Sequence, residues 1–326
     1  MTPGETVLVT GATGFIGRHL CEDLLTAGYR VRGIRRRQSR PSDLQIEWFQ
    51  LEDIGPATDW SLALTGISYV VHLAGLAHQI GSDSASVSSK FYSVNTDGTR
   101  TLAKAIAQYS EIKRIVFVSS IAALNSDCPS TDSQVHYGRS KLLGELALEE
   151  ELSNAATEWC VIRPPLVYGA GNPGNMARLL KLVHLGLPLP LKTIRNQRSL
   201  IFVGNLSNAI IACLKHPAAG NSKFTVADEA TISTPELLRM LSAASGEKLF
   251  LFPVPLAALK LLAKVGDGIK LVLGRSIGFD SYSLEKLSNT LVVDNVLISQ
   301  QVGWSPPYSI EQGLRLAVDP TRGLRT

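Results

Sequence analysis

The segment "ETVLVTGATGFIG" at residues 5–17 constrains this chain more than any other. Val7, Leu8 and Val9 form a short, apolar, largely β-branched run, the pattern of a strand covered on both faces of a parallel sheet. Gly11, Gly14 and Gly17 follow at three-residue spacing, and the pattern "FIGRHLCEDLLTAG" opens a helix among them. Glycine permits a tight turn and close backbone approach, while a helix N-terminus offers free N–H groups and a positive dipole end. A strand that runs through such glycines into a helix is therefore a cradle for a diphosphate. Phe15 and Ile16, in the first helical turn, are expected to contact the same ligand. The spacing is G-x-x-G-x-x-G, not the commoner G-x-G-x-x-G.

The second strand is expected at "YRVRGIRR", from Tyr29 to Ile34. A dinucleotide fold reads the ribose at the end of that strand, where an acidic residue takes the 2′-hydroxyl of NAD. This chain has Arg35, Arg36 and Arg37 there instead. Guanidinium groups suit a 2′-phosphate through paired, charge-assisted hydrogen bonds, so NADP(H) is expected ahead of NAD(H), which remains possible. Asp53, after "EWFQLE", closes the third strand within reach of an adenine.

Apolar strands alternate with helical patterns at 6–10, 30–34, 46–49, 69–73, 115–119 and 159–163. This alternation predicts an α/β fold, a doubly wound parallel sheet of Rossmann type, over residues 1–165. After "RPPLVYGAGNPGN" the regularity falls, and prolines from Pro188 to Pro307 punctuate short elements. Residues 166–326 are expected to form mainly a smaller substrate-binding lobe that closes the cofactor cleft.

One constellation carries proton chemistry. Ser120 ends the apolar run "RIVFVSS", where a strand stops and presents a hydroxyl. Tyr137 and Lys141 follow as Y-x-x-x-K in "HYGRSKLLGE". Residues four apart share a helix face, about 6 Å apart at Cβ. The ammonium is expected to draw the phenol pKa down from about 10. A phenol tuned this way exchanges a proton with a carbinol oxygen.

Together these pieces resemble the extended short-chain dehydrogenase/reductase family, the sugar-nucleotide epimerases, dehydratases and reductases. The marks are "TGATGFIG", "VVHLAG" at 70–75, "VNTDGT" at 94–99, "FVSS" at 117–120, "YGRSK" at 137–141 and "RPPLVYG" at 163–169. The resemblance implies that Ser120, Tyr137 and Lys141 are catalytic and that Gly11, Gly14 and Gly17 hold the diphosphate. It implies that Asp53 and Ile54 flank the adenine, and that Leu73, Ala74 and Gly75 pass under the cofactor. Asn95 and Lys141 would serve the nicotinamide ribose, and Val167 the carboxamide. Arg198, in "NQRSLIFVGNL", aligns with a diphosphate-binding arginine, with Asn175 and Arg275 as further substrate contacts. The chain is expected to return to the main sheet near 200–215.

Dehydratases of the family carry Thr-Asp-Glu where this chain has Ser120-Ile121-Ala122, so water elimination is not expected. The C-terminal half looks most like bacterial reductases of surface-polysaccharide assembly. These reduce the 4-keto group of a UDP-2-acetamido-2,6-dideoxy-hexos-4-ulose. A UDP-hexose 4-epimerase retaining its NAD is the alternative, and a non-catalytic NADP-binding regulator a third reading. A cytoplasmic homodimer is expected.

Composition narrows the partners. In 326 residues, 45% are hydrophobic and 18% charged, the balance of a core-rich globular protein. The net charge of +4 is small and its cations are dispersed, which argues against nucleic acid. Cys21, Cys128, Cys160 and Cys213 lack C-x-x-C spacing and read as buried thiols, and no cluster has metal-ligand spacing. His72 reads as a packed core histidine and His78 as a border of the sugar pocket. "MTPGETVLVT" runs straight into the first strand without a signal peptide. The segment "LFPVPLAALKLLAKVGDGIKLVLG" is interrupted by Lys260, Lys264, Asp267 and Lys270 and fails as a membrane span. An amphipathic helix touching a membrane surface stays open for it.

Overall fold

The computed structural model describes residues 4–36, 44–77, 84–125, 133–172, 175–273 and 280–318. Arg37, His78, Cys128 and Arg275 lie outside the described residues. The chain forms two compact units. The first comprises the described parts of Met1–Pro165, Val203–Ala227 and Asp294–Pro307. The second comprises those of Leu166–Phe202, Asp228–Val293 and Tyr308–Thr326.

The first unit opens with β1 (Thr6–Thr10), α1 (Phe15–Thr26), β2 (Arg30–Arg36), β3 (Glu47–Leu51), α2 (Ser61–Leu64) and β4 (Tyr69–His72). It continues with α3 (Ser84–Phe91), a π-helical segment Tyr92–Asp97, α4 (Gly98–Ile106), β5 (Arg114–Val118), α5 (Ser133–Leu152) and β6 (Glu158–Arg163). The second unit begins with β7 (Leu166–Tyr168), α6 (Asn175–His184) and β8 (Leu200–Phe202). The first unit resumes with α7 (Val203–Lys215) and β9 (Ser222–Thr225). The second unit resumes with α8 (Thr234–Ser245), α9 (Leu256–Leu273) and α10 (Ser281–Ser288). Then α11 (Val296–Val302) falls in the first unit and α12 (Ile310–Val318) in the second.

The first unit's sheet has seven parallel strands in the order β3-β2-β1-β4-β5-β6-β9. This is the doubly wound arrangement expected of the βα alternation, with the order reversing between β1 and β4. Ligands bind such sheets beyond the carboxyl ends of the strands at that reversal. All five residues of β1 and of β5 are buried, as strands covered on both faces must be. One core layer joins Leu8, Ile34, Val70, Ile115, Phe117 and Val161 of the strands to Leu102 and Ile106 of α4 and Leu148 and Leu152 of α5. On the other face α1 packs against α7.

The sheet return comes later than the sequence suggests. "SLIFVGNLSNAIIACL" supplies β8, which pairs with β7 in a separate two-stranded sheet, and then the helix α7. The strand that adds to β6 is β9, in register from Cys160↔Ser222 to Arg163↔Thr225. Its "SKFT" carries one large apolar residue and little strand signal, and Phe224 is fully buried.

In the second unit, Asp228 accepts a hydrogen bond from the Tyr168 hydroxyl at 2.8 Å and one from the Phe202 N–H at 3.0 Å. These bonds join both strands of the small sheet to the segment leading into α8. Ser233 and Glu236 form a capping box at the start of α8, and Gly246 ends it in the left-handed conformation.

Candidate active site

The cradle is built by backbone proximity. Gly11 has φ +71°, and a Cβ there would lie 2.9 Å from the Ala74 nitrogen. A Cβ on Gly17 would meet the Gly11 carbonyl oxygen at 2.2 Å. No side chain fits at either place, so the turn, α1 and the loop after β4 close on one another. Gly14 is the N-cap of α1, so no side chain caps the first-turn N–H groups of Phe15, Ile16 and Gly17.

Arg35 and Arg36 end β2, and Arg35 and Arg36 stand in register with Gln50 and Leu51 of β3. The Arg35 Nε is buried and has no hydrogen-bond partner among the described residues. An orphaned guanidinium N–H at a strand tip is costly unless an acceptor meets it. These observations fit a dinucleotide: a glycine cradle no Cβ could enter, and an unsatisfied cation where the adenosine ribose is read. Asp53 is exposed and accepts from the Ile54 N–H at 2.8 Å, while Ile54 is buried.

The loop after β4 is tied to α5 through one amide. Asn95, in the π-helical segment, accepts from Leu76 N–H at 2.8 Å and donates to the Leu76 carbonyl at 3.0 Å. It also donates to Ser140 Oγ at 2.9 Å, and Ser140 donates to the Tyr137 carbonyl at 2.8 Å. The Asn95 amide thus clamps the loop after β4 to α5. Ser140 was not singled out, although it sits inside "YGRSK".

A second chain of bonds has a fixed direction. Thr99 Oγ1 spends its only hydrogen on the Asn95 carbonyl at 2.7 Å. His72 Nε2, 3.0 Å from that oxygen, must therefore be the donor. His72 Nδ1 then accepts from Thr10 Oγ1 at 2.7 Å, and Thr10 Oγ1 accepts the Ala74 N–H at 3.1 Å. Complete burial, with the neighbouring Lys141 charge, pushes the imidazole pKa down to about 3. His72 is thus a neutral, fully satisfied core histidine, stacked on Phe117 at 5.3 Å.

Tyr137 and Ser120 are brought together by a close helix approach. A Cβ on Gly138 would meet the Ala122 carbonyl oxygen at 2.3 Å, so only glycine lets α5 lie this near the turn at 121–125. The Tyr137 hydroxyl bonds the Ser120 side chain, and its ring meets Phe91 edge-on at 5.9 Å. Ser120 Oγ also accepts from Ala122 N–H at 3.2 Å.

Lys141 is 4% exposed and donates to the Val118 carbonyl at 3.0 Å, with its ammonium 4.8 Å from the Phe117 ring centre. Burial pulls its pKa down to about 8, against the attraction of Glu145. A Cβ on Gly75 would lie 3.0 Å from its Nζ, which puts the ammonium against the loop after β4. Here the expected electrostatics are corrected. Burial raises the Tyr137 pKa above its ordinary value, and the bond to Ser120 opposes it.

Beneath the site lies a buried ion pair that sequence reading missed. Glu145 is fully buried, accepts from Ser119 Oγ at 2.5 Å, and takes Arg163 in a two-point contact with Nε at 3.0 Å. It locks α5 to the ends of β5 and β6. Its one visible signal is an acid four residues after Lys141 on an otherwise apolar helix face.

Of the remaining expected residues, Val167 stands in β7, paired with Ile201, and Asn175 is the first residue of α6. Arg198 pairs through its backbone with Ile232 and Leu291, and its NH1 donates to the Lys286 carbonyl. Its first visible role is to tie the second unit together. Cys21, Cys160 and Cys213 are buried free thiols, Cys21 pushed up to about 12 by burial.

The profile of the NAD dependent epimerase/dehydratase family matches residues 7–227. The UDP-glucose 4-epimerase of Vibrio cholerae is 34% identical over 322 residues, covering 95% of this chain and 94% of that protein. The N-acetyl-alpha-D-glucosaminyl-diphospho-ditrans,octacis-undecaprenol 4-epimerase of Escherichia coli O157:H7 is 29% identical over 95% of this chain and 93% of its own. Among solved structures, the UDP-glucuronic acid 4-epimerase of Bacillus cereus in complex with NAD superposes with a TM-score of 0.72. It is 21% identical and covers 98% of this chain and 100% of its own, a likeness of fold. A glycine cradle at the sheet reversal, a Ser-Tyr-Lys set at its edge and these matches make the chain a member of the NAD dependent epimerase/dehydratase family, an extended short-chain dehydrogenase/reductase and an NAD(P)-dependent enzyme.

Proposed function

We propose that the protein is a reductase for the 4-keto group of a UDP-2-acetamido-2,6-dideoxy-hexos-4-ulose, using NADPH. The product is UDP-N-acetylquinovosamine or its 4-epimer, made for surface polysaccharide by a cytoplasmic homodimer. The observation that carries this reading is Arg35 at the tip of β2, its buried Nε without a hydrogen-bond partner among the described residues, with Arg36 beside it. Two cations where an NAD-retaining enzyme prefers an acid favour a phosphorylated, exchangeable cofactor.

When bound, the nicotinamide supplies the hydride. Ser120 Oγ donates a hydrogen bond to the ketone oxygen, and Tyr137 gives it the proton. A phenol held protonated by burial is suited to donating, the step that reduction needs first. Lys141 holds its ammonium against the loop after β4, where it binds the ribose and supports recovery of the Tyr137 proton. Ile121 and Ala122 offer no acid for water elimination. Arg198 and Asn175 are the proposed contacts of the substrate pyrophosphate.

The likeness to UDP-glucose 4-epimerase over nearly the whole chain favours a second reading, epimerisation with retained NAD. One assay separates the two. Given a UDP-4-keto-6-deoxy-N-acetylhexosamine and NADPH, the protein should oxidise one NADPH for each 6-deoxy alcohol formed. Interconversion of UDP-glucose and UDP-galactose without added cofactor would decide for the epimerase. Replacing Arg35 and Arg36 together with Ala should weaken NADPH binding by about 2–4 kcal/mol and hardly change NADH binding. Equal loss for both cofactors would remove the basis for the NADPH preference.

A further inference from the structure

Helix α9 turns apolar side chains in two opposite directions. Leu259 and Ala263 are fully buried and pack with Leu284 of α10 and with Val254. At about 100° per residue, Leu261 and Val265 project from the far side of the helix, with Leu262 at its border. These three are 67%, 55% and 54% exposed, respectively. Lys260 and Lys264, both exposed, form the opposite border of that outer face, with Asp267 beyond them. Phe250, just before the helix, is 61% exposed, and Lys248 beside it is exposed too.

A helix with a second, exposed apolar face needs a surface to cover it. Among the described residues, the second unit covers the inner face of α9 and leaves Leu261, Leu262 and Val265 exposed. Spanning is excluded for it, since no helix among the described residues is long and apolar enough to cross a membrane. Pairing with a second copy is undersized. Three such side chains amount to roughly 300 Å² of apolar surface, against about 800 Å² per partner in a stable dimer. What remains matches an interfacial helix: an outer apolar ridge bordered on one side by lysines, whose stems lie along the ridge while their ammonium groups reach headgroups.

We propose that the outer face of α9 docks the enzyme on an anionic phospholipid bilayer, with Leu261, Leu262 and Val265 at the acyl boundary and Lys260 and Lys264 among the phosphates. This goes beyond the reaction assigned above and does not depend on it.

The test is vesicle flotation of the full-length protein without substrate or cofactor, so its outcome is independent of the catalytic reading. Wild type should float with phosphatidylcholine vesicles containing 30% phosphatidylglycerol (about that fraction is a working choice) and bind pure phosphatidylcholine weakly, the difference fading at high salt. Leu261→Ser, Leu262→Ser and Val265→Ser together should cut flotation by at least roughly tenfold. Lys260→Gln with Lys264→Gln should cut it roughly fivefold per lysine. Both variants should keep the wild-type circular dichroism spectrum and turnover of a soluble substrate. Absence of wild-type flotation, or equal flotation of all variants, would overturn the proposal. So would sedimentation showing that the triple serine variant dissolves a wild-type oligomer, which would assign the face to a second copy.

Discussion

Helices α5 and α9, of 20 and 18 residues, break the same rule in opposite senses. In α5 the polar groups are inside: Ser140, Lys141 and Glu145 are all buried. In α9 a second set of apolar groups, Leu261, Leu262 and Val265, is outside. Either inversion costs stability unless something compensates it. Buried polar groups need partners, and exposed apolar ridges need a covering surface. In α5 the partners are within the first unit: Arg163, Ser119, the Val118 carbonyl and Asn95. For the outer ridge of α9 no covering surface is found among the described residues of the second unit. An inversion satisfied internally marks a site that must hold its geometry, whereas one left open marks a surface that meets something else.

The contrast can be broken most forcefully at Glu145. Glu145→Ala leaves the Arg163 cation with its carboxylate gone and should cost about 3–5 kcal/mol in urea denaturation. A loss under about 1 kcal/mol would mean that the pair behaves as a surface pair, and α5 would lose its standing as an internally satisfied element. Next in size is Tyr137→Phe, which keeps the ring against Phe91 and removes the proton. Turnover should fall by roughly 10²-fold or more with cofactor affinity retained. Near-normal turnover would take the proton transfer away from this residue.

A smaller effect sharpens the comparison through pH. The His72 pKa is about 3 in the folded protein and 6.5 ordinarily, so below pH 6.5 the unfolded chain binds more protons. Stability should therefore fall as pH drops from 6.5 toward 3. Between pH 7 and 5.5 this one group should contribute about 1.3 kcal/mol of loss. His72→Gln, compared with wild type by denaturant unfolding at both pH values, should lack that share. An identical pH slope in the two proteins would show that the imidazole is not held neutral by its two threonines.

Much of the first unit was legible in its sequence because its signals are local. The strand-glycine-helix start, the alternation of six strands and the Y-x-x-x-K spacing all lie within short windows. The parts that stayed hidden depend on distant partners. Glu145 and Arg163 look like an ordinary helix acid and an ordinary arginine before a proline until β6 is set beside α5. Asn95 stands in a motif that suggests a ribose contact, yet its amide bonds were decided by where Leu76 and Ser140 arrive. The Tyr137 pKa went the other way because burial outweighs its bond to Ser120, while the Lys141 ammonium is turned to a strand carbonyl. β9 was missed because four residues with a single large apolar side chain carry almost no periodicity.

The way the chain shuttles between its units has a consequence for its synthesis. The β6 edge of the main sheet has no strand beside it until Ser222–Thr225 has been made, and β9 is in turn packed by α11, which follows at Val296–Val302. A nascent chain ending anywhere before then presents an open parallel edge, the kind of surface on which chains pair wrongly. Neither unit corresponds to a continuous stretch that a ribosome could finish and release to fold alone. Cutting the gene between the two halves would leave the first unit without α7, β9 and α11, which come from later in the chain.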